Sequence, residues 1–393
     1  MNPPKILITL RHPGPVAAVM EFVQTIDQKM EIIFVLSDAA LQLMQDRYHK
    51  ILKRHSFYYF QNEWLKETKT DIAKEQRGKT EFNSMKEQGF CKLQQEMKQI
   101  ILQESPDIIL RTTPALKFGV DEAITSAANE IGSGKKIRCY QEIYDCGMDL
   151  EQIKVPIAVV DEIAKMRLQK RKVEAIPIGW MNQSSFQGYP NYCLVREQIR
   201  NKLGISEQET VIIYCTVASG NDKAEKKHFQ GVAKHKGNRR MYLKFHPRNA
   251  EVYKREMLKI ANQYGVAEAK NFEMEEVLAV ADVIISSGSA IQFDCLQYQV
   301  ISKIDVLKTN SVFVVDANTK EIMQTVFQCD IQPYMEEGMG SIILGSFAEL
   351  ENLEEKLQQE KIKVTREAYS IFHLEMDQVK ENFLKYLFEE KES

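Results

Sequence analysis

The chain has 393 residues, of which 44% are hydrophobic and 27% charged, a composition that excludes disordered and fibrous classes. Its length exceeds the roughly 250 to 300 residues at which a single core stops growing, so two domains are predicted. Fifty-two Lys and Arg against 55 Asp and Glu give a formal charge of -3. That excludes a general electrostatic pull toward nucleic acid, and any bound anion has to be met locally.

The chain opens with an apolar run, Lys5–Leu10, then a turn-rich segment through Pro15 and a helical pattern from Val16 to Ile26. Strand, loop and helix in this order are the repeating unit of a parallel sheet. Further short β-type runs follow at Ile32–Leu36, Phe57–Phe60, Ile108–Leu110, Ile137–Tyr140, Ile157–Val160 and Val173–Ile178. Each is far shorter than the roughly 20 residues of a spanning helix, and the N-terminus lacks the basic-then-apolar order of a signal peptide. A cytoplasmic protein is expected. The insert from Asn62 to Glu104 is charged and Gln-rich, without proline, and predicts one or two exposed helices.

A polar stretch from Met181 to Pro190 has no periodicity and reads as a linker. A second α/β series follows, with strands expected at Val211–Cys215, Met241–Phe245, Val283–Ser286, Val300–Ile304 and Val312–Val315. The segment after about Phe347 is helical in pattern, and its last part, Ala368 to Leu387, is expected to cross back over the first domain. The predicted domains are therefore 1–182, 190–345 and a C-terminal helical segment 346–393. The seven cysteines are scattered singly, with no CxxC pair, and read as free thiols rather than zinc or redox groups.

Two segments carry chemistry. From Asp282 to Leu296 a buried strand passes into a loop of small residues, Ser286, Ser287, Gly288 and Ser289, and then into a helix. Such a loop presents backbone N–H groups and hydroxyls to an anion, the helix start adds positive character, and Gly288 allows close approach. A capped helix start without a ligand reads the same way. The run from Arg239 to Arg248 delivers Lys244, His246 and Arg248 at a strand end, on one face while the strand stays regular. Ligands of open parallel sheets bind outside the strands' carboxyl ends, so both loops are expected to share one site.

Lys-x-His-Pro-Arg at 244–248, followed about 40 residues later by Ser-Ser-Gly-Ser-Ala-Ile-Gln-Phe-Asp at 286–294, resembles the paired motifs of GT-B enzymes that use cytidine-linked donors. These are the bacterial sialyltransferases and the CDP-glycerol glycerophosphotransferases. The resemblance implies an α/β fold of two doubly wound Rossmann-like domains facing each other across a cleft, with C-terminal helices crossing back. It implies His246 as a donor-phosphate ligand, and Lys244 and Arg248, brought to the same strand end by alternation, are expected at the donor site beside it. Ser286, Ser287 and Ser289 would be further phosphate contacts, and Asp294 a support for that loop or the ribose. Ala290 stands where the glycerophosphotransferases have their second Ser, which weakens the donor assignment more than the phosphate site.

The expected activity is transfer of a sugar, or a polyol phosphate, from a CMP- or CDP-linked donor to a cell-surface glycan. The acceptor would be a glycan or a lipid-linked one, with peripheral association at a membrane. No cofactor is expected, and no metal, because no Asp-x-Asp pair occurs to carry a diphosphate-bound ion. Glu142 and Asp145, after the run Ile137–Tyr140, are the leading candidates for a catalytic base. His12 in the first strand-to-helix loop, beside Gly14, is a further candidate. Each also suits a purely structural turn or cap. Two alternatives stand beside this reading. One is a UDP-N-acetylglucosamine 2-epimerase, whose Ser-Gly-Gly-x-Gln-Glu-Glu loop is matched only by Ser287, Gly288 and Gln292. The other is a noncatalytic nucleotide-sugar-binding protein.

Overall fold

A computed structural model describes residues 3–11, 13–26, 29–60, 80–112, 119–132, 136–141, 155–181, 192–217, 221–246, 249–270, 272–289, 291–295, 309–327, 329–331, 333–336, 341–360 and 375–388. The chain divides into two compact units, one of Met1–Ser184 with Leu374–Ser393, the other Ser185–His373.

The first unit is built on a parallel sheet of order β3-β2-β1-β4-β5-β6-β7. Its strands are β1 Lys5–Leu10, β2 Glu31–Ser37, β3 Ser56–Phe60, β4 Ile108–Arg111, β5 Lys136–Tyr140, β6 Ile157–Val159 and β7 Ala175–Pro177. Central strands of such a sheet are covered on both faces, which is why β1 and β2 read as nearly unbroken apolar runs. Alternation sorts their side chains. Ile6, Ile8, Leu10, Ile32, Phe34 and Leu36 enter one core, while Leu7, Ile33 and Val35 enter the other. Helix α1, Pro13–Ile26, supplies Val19, Phe22 and Val23 to the first core.

Helix α2, Thr80–Glu104, agrees with the expectation of a helix in this insert but buries one face of it, and residues 62–79 of the insert lie outside the described residues. Its Leu93, Met97, Ile100 and Ile101 are buried in the second core together with Ala123, Ile124 and Ala127 of α3, Val120–Ile131. The spacing 93, 97, 100, 101 is a helical stripe.

The last described helix, Met376–Phe388, packs on the first unit. Phe383 is fully buried, its ring centroid 4.4 Å from that of Phe22 and 5.8 Å from that of Tyr140. The Tyr386 hydroxyl accepts the Cys139 N–H at 2.7 Å and lies 2.7 Å from the Pro156 carbonyl. Arg138 Nε donates to the Tyr386 carbonyl at 2.8 Å and Lys136 Nζ to that of Phe388 at 3.1 Å, so two cations sit where the helix's carbonyl end is negative.

The second unit holds a parallel sheet of order β10-β9-β8-β11-β12-β13. Its strands are β8 Val211–Cys215, β9 Arg240–Lys244, β10 Ala267–Glu268, β11 Val283–Ser286, β12 Asn310–Val314 and β13 Ile342–Leu344. The expected strand Val300–Ile304 lies outside the described residues. One face carries Ile212, Tyr214, Val283 and Ile285 against Phe229 and Val232 of α4, Asp222–His235, and Tyr253 and Met257 of α5, Glu251–Gln263. Leu350 and Leu353 complete that core, so the segment just after β13 stays with the second unit.

Candidate functional site

In the second sheet the strand order reverses beside β8. From there the chain runs through β9 and β10 to one side and through β11, β12 and β13 to the other. Such a switch point is where open parallel sheets bind ligands, outside the carboxyl ends of their strands. The segments leaving β8, β9 and β11 are Thr216–Val217, Phe245–His246 and Ser287–Ser289.

After β11 the backbone turns through Gly288, whose φ of 126° lies in a region L side chains rarely adopt. Ser286 Oγ closes the turn by accepting the Ser289 N–H at 2.9 Å. Ser287 Oγ donates to Glu225 Oε1 at 3.4 Å. Both hydroxyls are fully buried, so they brace the loop from inside, and Ser289 is the half-buried serine of the three.

β9 delivers Lys244 at its last position, where Nζ donates to the Phe272 carbonyl and so ties down the loop after β10. Two residues on, the His246 N–H is shared between Thr216 Oγ1 at 2.8 Å and Asn249 Oδ1 at 2.9 Å. Asn249 Oδ1 also accepts from Thr216 Oγ1 at 2.6 Å, and its Nδ2 donates to the Val217 carbonyl at 3.0 Å. Thr216 and Asn249 therefore splice the loops after β8 and β9 and fix the backbone at the half-buried His246. Arg248 lies outside the described residues, as do His12, Glu142 and Asp145.

Beneath these loops sits Glu225, in the first turn of α4 and 1% exposed. Oε1 accepts the Val217 N–H at 2.6 Å as well as Ser287 Oγ, and Oε2 accepts the Tyr253 hydroxyl at 2.7 Å. Burial pushes its carboxyl up to about 7, against the opposing effect of these three donors. Sequence reasoning did not single out Glu225. The available signal was position: Glu225, His228, Phe229 and Val232 follow the i, i+3, i+4, i+7 pattern of a buried face. Asp294, half-buried beyond the loop, is also pushed up to about 7 by burial and makes no hydrogen bond to the described part of the loop.

The first sheet reverses its strand order between β1 and β4, and its carboxyl edge there is charged and buried. Arg111 Nη2 pairs with Glu122 Oε1 at 2.8 Å, and Asp121 Oδ1 accepts from the Thr9 hydroxyl and, at 3.2 Å, from the Thr112 N–H. The Arg11 guanidinium crosses Gly119 in the space a Cβ there would occupy. Sequence reasoning named none of these residues.

Among the described residues no three His, Cys, Asp or Glu side chains gather as metal ligands would, and no helix is long and apolar enough to cross a membrane.

No family model and no curated protein sequence matches this chain. Solved structures do match in fold. A glycosyltransferase from Rickettsia africae ESF-5 superposes with a TM-score of 0.62 at 10% identity, covering 100% of both chains. The UDP-GlcNAc 2-epimerase of Neisseria meningitidis, solved with UDP-GlcNAc bound, gives 0.59 at 9% identity over 98% of this chain and 99% of its own. A UDP-glucosyltransferase from Polygonum tinctorium gives 0.55 at 10% identity over 99% of each chain. These likenesses establish the architecture: two parallel-sheet α/β units with the GT-B-like fold.

Proposed function

We propose that this chain is a nucleotide-sugar enzyme that holds the diphosphate of its donor at the carboxyl edge of the second sheet. The observation that carries this reading is the strand order: the Gly288 turn with Ser289, and the loop with His246, leave the two parallel strands that flank β8 at the switch point. In this reading His246 and the loop after β11 stabilise charge on the departing phosphate, the role that preorganised donors play at many leaving groups. The neighbours with bound or named UDP substrates support the substrate class. The finer assignment, transfer from a CMP- or CDP-linked donor to a glycan or lipid-linked acceptor, rests on the paired motifs at 244–248 and 286–294. A base for the acceptor hydroxyl would come from the first unit, with Glu142 and Asp145 as the candidates. Chemistry without a metal is part of the proposal, and activity is expected to persist in EDTA. Loss on chelation with recovery in Mg²⁺ would contradict it.

A second reading is favoured by a specific observation, the fold match to an epimerase with UDP-GlcNAc bound. Incubation with UDP-, CDP- and CMP-linked sugars separates the two. An epimerase converts UDP-GlcNAc with no acceptor present, whereas a transferase consumes its donor only when an acceptor is supplied. Binding without turnover under both conditions would leave a noncatalytic protein.

A further inference from the structure

We propose that Glu225 is the positioning residue of the loop after β11 and couples anion binding at that loop to the uptake of one proton. This rests on the reading of that loop as the diphosphate site. One carboxyl joins three segments: the Val217 N–H after β8 and Ser287 Oγ after β11 both reach Oε1, and Tyr253 of α5 reaches Oε2. All three partners are neutral donors, and among the described residues no Lys, Arg or His pairs with Glu225. Its charge, when present, is therefore buried and uncompensated directly beneath Ser287. A phosphate above the loop and a carboxylate below it repel each other across a medium that screens poorly. The bound state consequently favours the neutral carboxylic acid. The proton comes from solvent, and no bond other than O–H forms.

His246, the candidate phosphate ligand, is a second group that can take up a proton as an anion binds, so the test carries a His246→Gln control, in which the slope should persist; the other neighbours leave the Glu225 titration clear. On α4 itself, Asp222 lies one turn before Glu225 at the half-buried helix start, and His228 one turn after. Burial lowers His228 to about 4, so it is neutral above pH 5.5. Burial raises Tyr214 of β8 and Tyr253 of α5, which stay protonated. Asp316, before the helix Ala317–Phe327, is held below its ordinary value by the Thr319 N–H despite the opposing effect of burial, so it stays ionised. Glu225 itself is pushed up to about 7, so both of its forms are populated near neutrality. Asp294 is the other raised carboxyl, also at about 7, and needs its own control.

The test is calorimetry with UDP-glucose and CDP-glycerol between pH 5.5 and 8.5, in buffers of differing ionisation enthalpy. Neither diphosphate diester has a phosphate proton that titrates in this range. For the wild type, linkage predicts affinity that is flat below about pH 6, falls toward about ten-fold per pH unit above 7, and takes up about one proton at pH 8. Glu225→Gln keeps an uncharged side chain of the same shape. It should bind at pH 8 about ten-fold more tightly than the wild type and lose the slope. Asp294→Asn, whatever its effect on affinity, should keep the slope. The coupling is overturned if wild-type affinity is independent of pH, if the slope survives Glu225→Gln or moves to Asp294→Asn, or if Glu225→Gln weakens binding at every pH, as a merely structural carboxyl would. Where Glu225→Gln fails to fold, a proton uptake that persists in both Asp294→Asn and His246→Gln still carries the coupling, and one lost in either of them overturns it. Absence of binding by either probe at every pH would remove the diphosphate reading and this proposal with it, whereas binding without a slope removes the coupling alone.

Discussion

Asn249→Ala removes the side chain that holds the loops after β8 and β9 together. Three hydrogen bonds are lost: Oδ1 from the His246 N–H at 2.9 Å, Oδ1 from Thr216 Oγ1 at 2.6 Å, and Nδ2 to the Val217 carbonyl at 3.0 Å. The position is half-buried, so water replaces part of each bond, and each loss falls toward the lower half of the usual range of about 0.5 to 1.5 kcal/mol. The sum is about 2 kcal/mol, or a fall in melting temperature of roughly 4 to 8 °C for a unit of this size. The His246 N–H keeps Thr216 Oγ1 at 2.8 Å, so the loop loosens without unravelling. Turnover should suffer more than stability, because a displacement of about 1 Å at a catalytic group costs on the order of 100-fold in rate. Asn249→Asp keeps both acceptor bonds but sets a charged oxygen against the Val217 carbonyl and near the anion site, so it should raise KM for the donor while kcat at saturating donor lies nearer the wild type than that of Asn249→Ala. The assay is donor turnover per folded molecule beside a melting curve. An Asn249→Ala protein with unchanged turnover and unchanged melting would refute the bracing role, and an equal loss of kcat at saturating donor in both variants would mean that the two acceptor bonds at His246 and Thr216 are not what matters.

Further expectations concern residues on both units. His246→Ala should lower kcat by about 100- to 1000-fold while the melting temperature hardly moves, and a normal kcat would refute its role at the departing phosphate. Phe383→Ala should cost about 3 to 5 kcal/mol by emptying the fully buried space between Phe22 and Tyr140, and limited proteolysis should then release the C-terminal helix early. Raised carboxyl values at Glu225 and Asp294 mean that folding favours their protonated forms. Their contribution to stability is complete below about 4, the unfolded range, and is lost as pH rises through about 7. Urea midpoints should therefore decline between pH 5 and 8, and the decline should be shallower in Glu225→Gln. A midpoint that rises over that range in the wild type and not in the variant would contradict the sign.

Much of the fold is legible in the sequence because parallel strands covered on both faces leave apolar runs. β1, β2, β8 and β11 are such runs, and their positions agree with the structure to within a residue. β10 escaped notice because it is two exposed residues, Ala267 and Glu268, and β13 because it is three. The buried face of the helix Thr80–Glu104 was missed for another reason: its stripe of Leu93, Met97, Ile100 and Ile101 is diluted by Gln, Glu and Lys on the other faces. The candidate site was legible at the level of loops and not of atoms. Two strand-to-loop transitions in a parallel sheet put His246 and the loop after β11 at one sheet edge. Spacing carries no information that Lys244 is held by the Phe272 carbonyl, that Ser286 and Ser287 face inward, or that Thr216, Glu225 and Asn249 brace the loops. Those facts depend on which backbone groups lie opposite in space.

The most direct test of the proposed donor site is photolabelling of the whole chain with azido-UDP and azido-CDP, followed by peptide mapping. Labels are expected in the second unit, on peptides spanning 216–217, 244–249 and 286–294, with competition by the unmodified nucleotide. Specific labelling confined to residues 1–181 would contradict a donor site at the carboxyl edge of the second sheet.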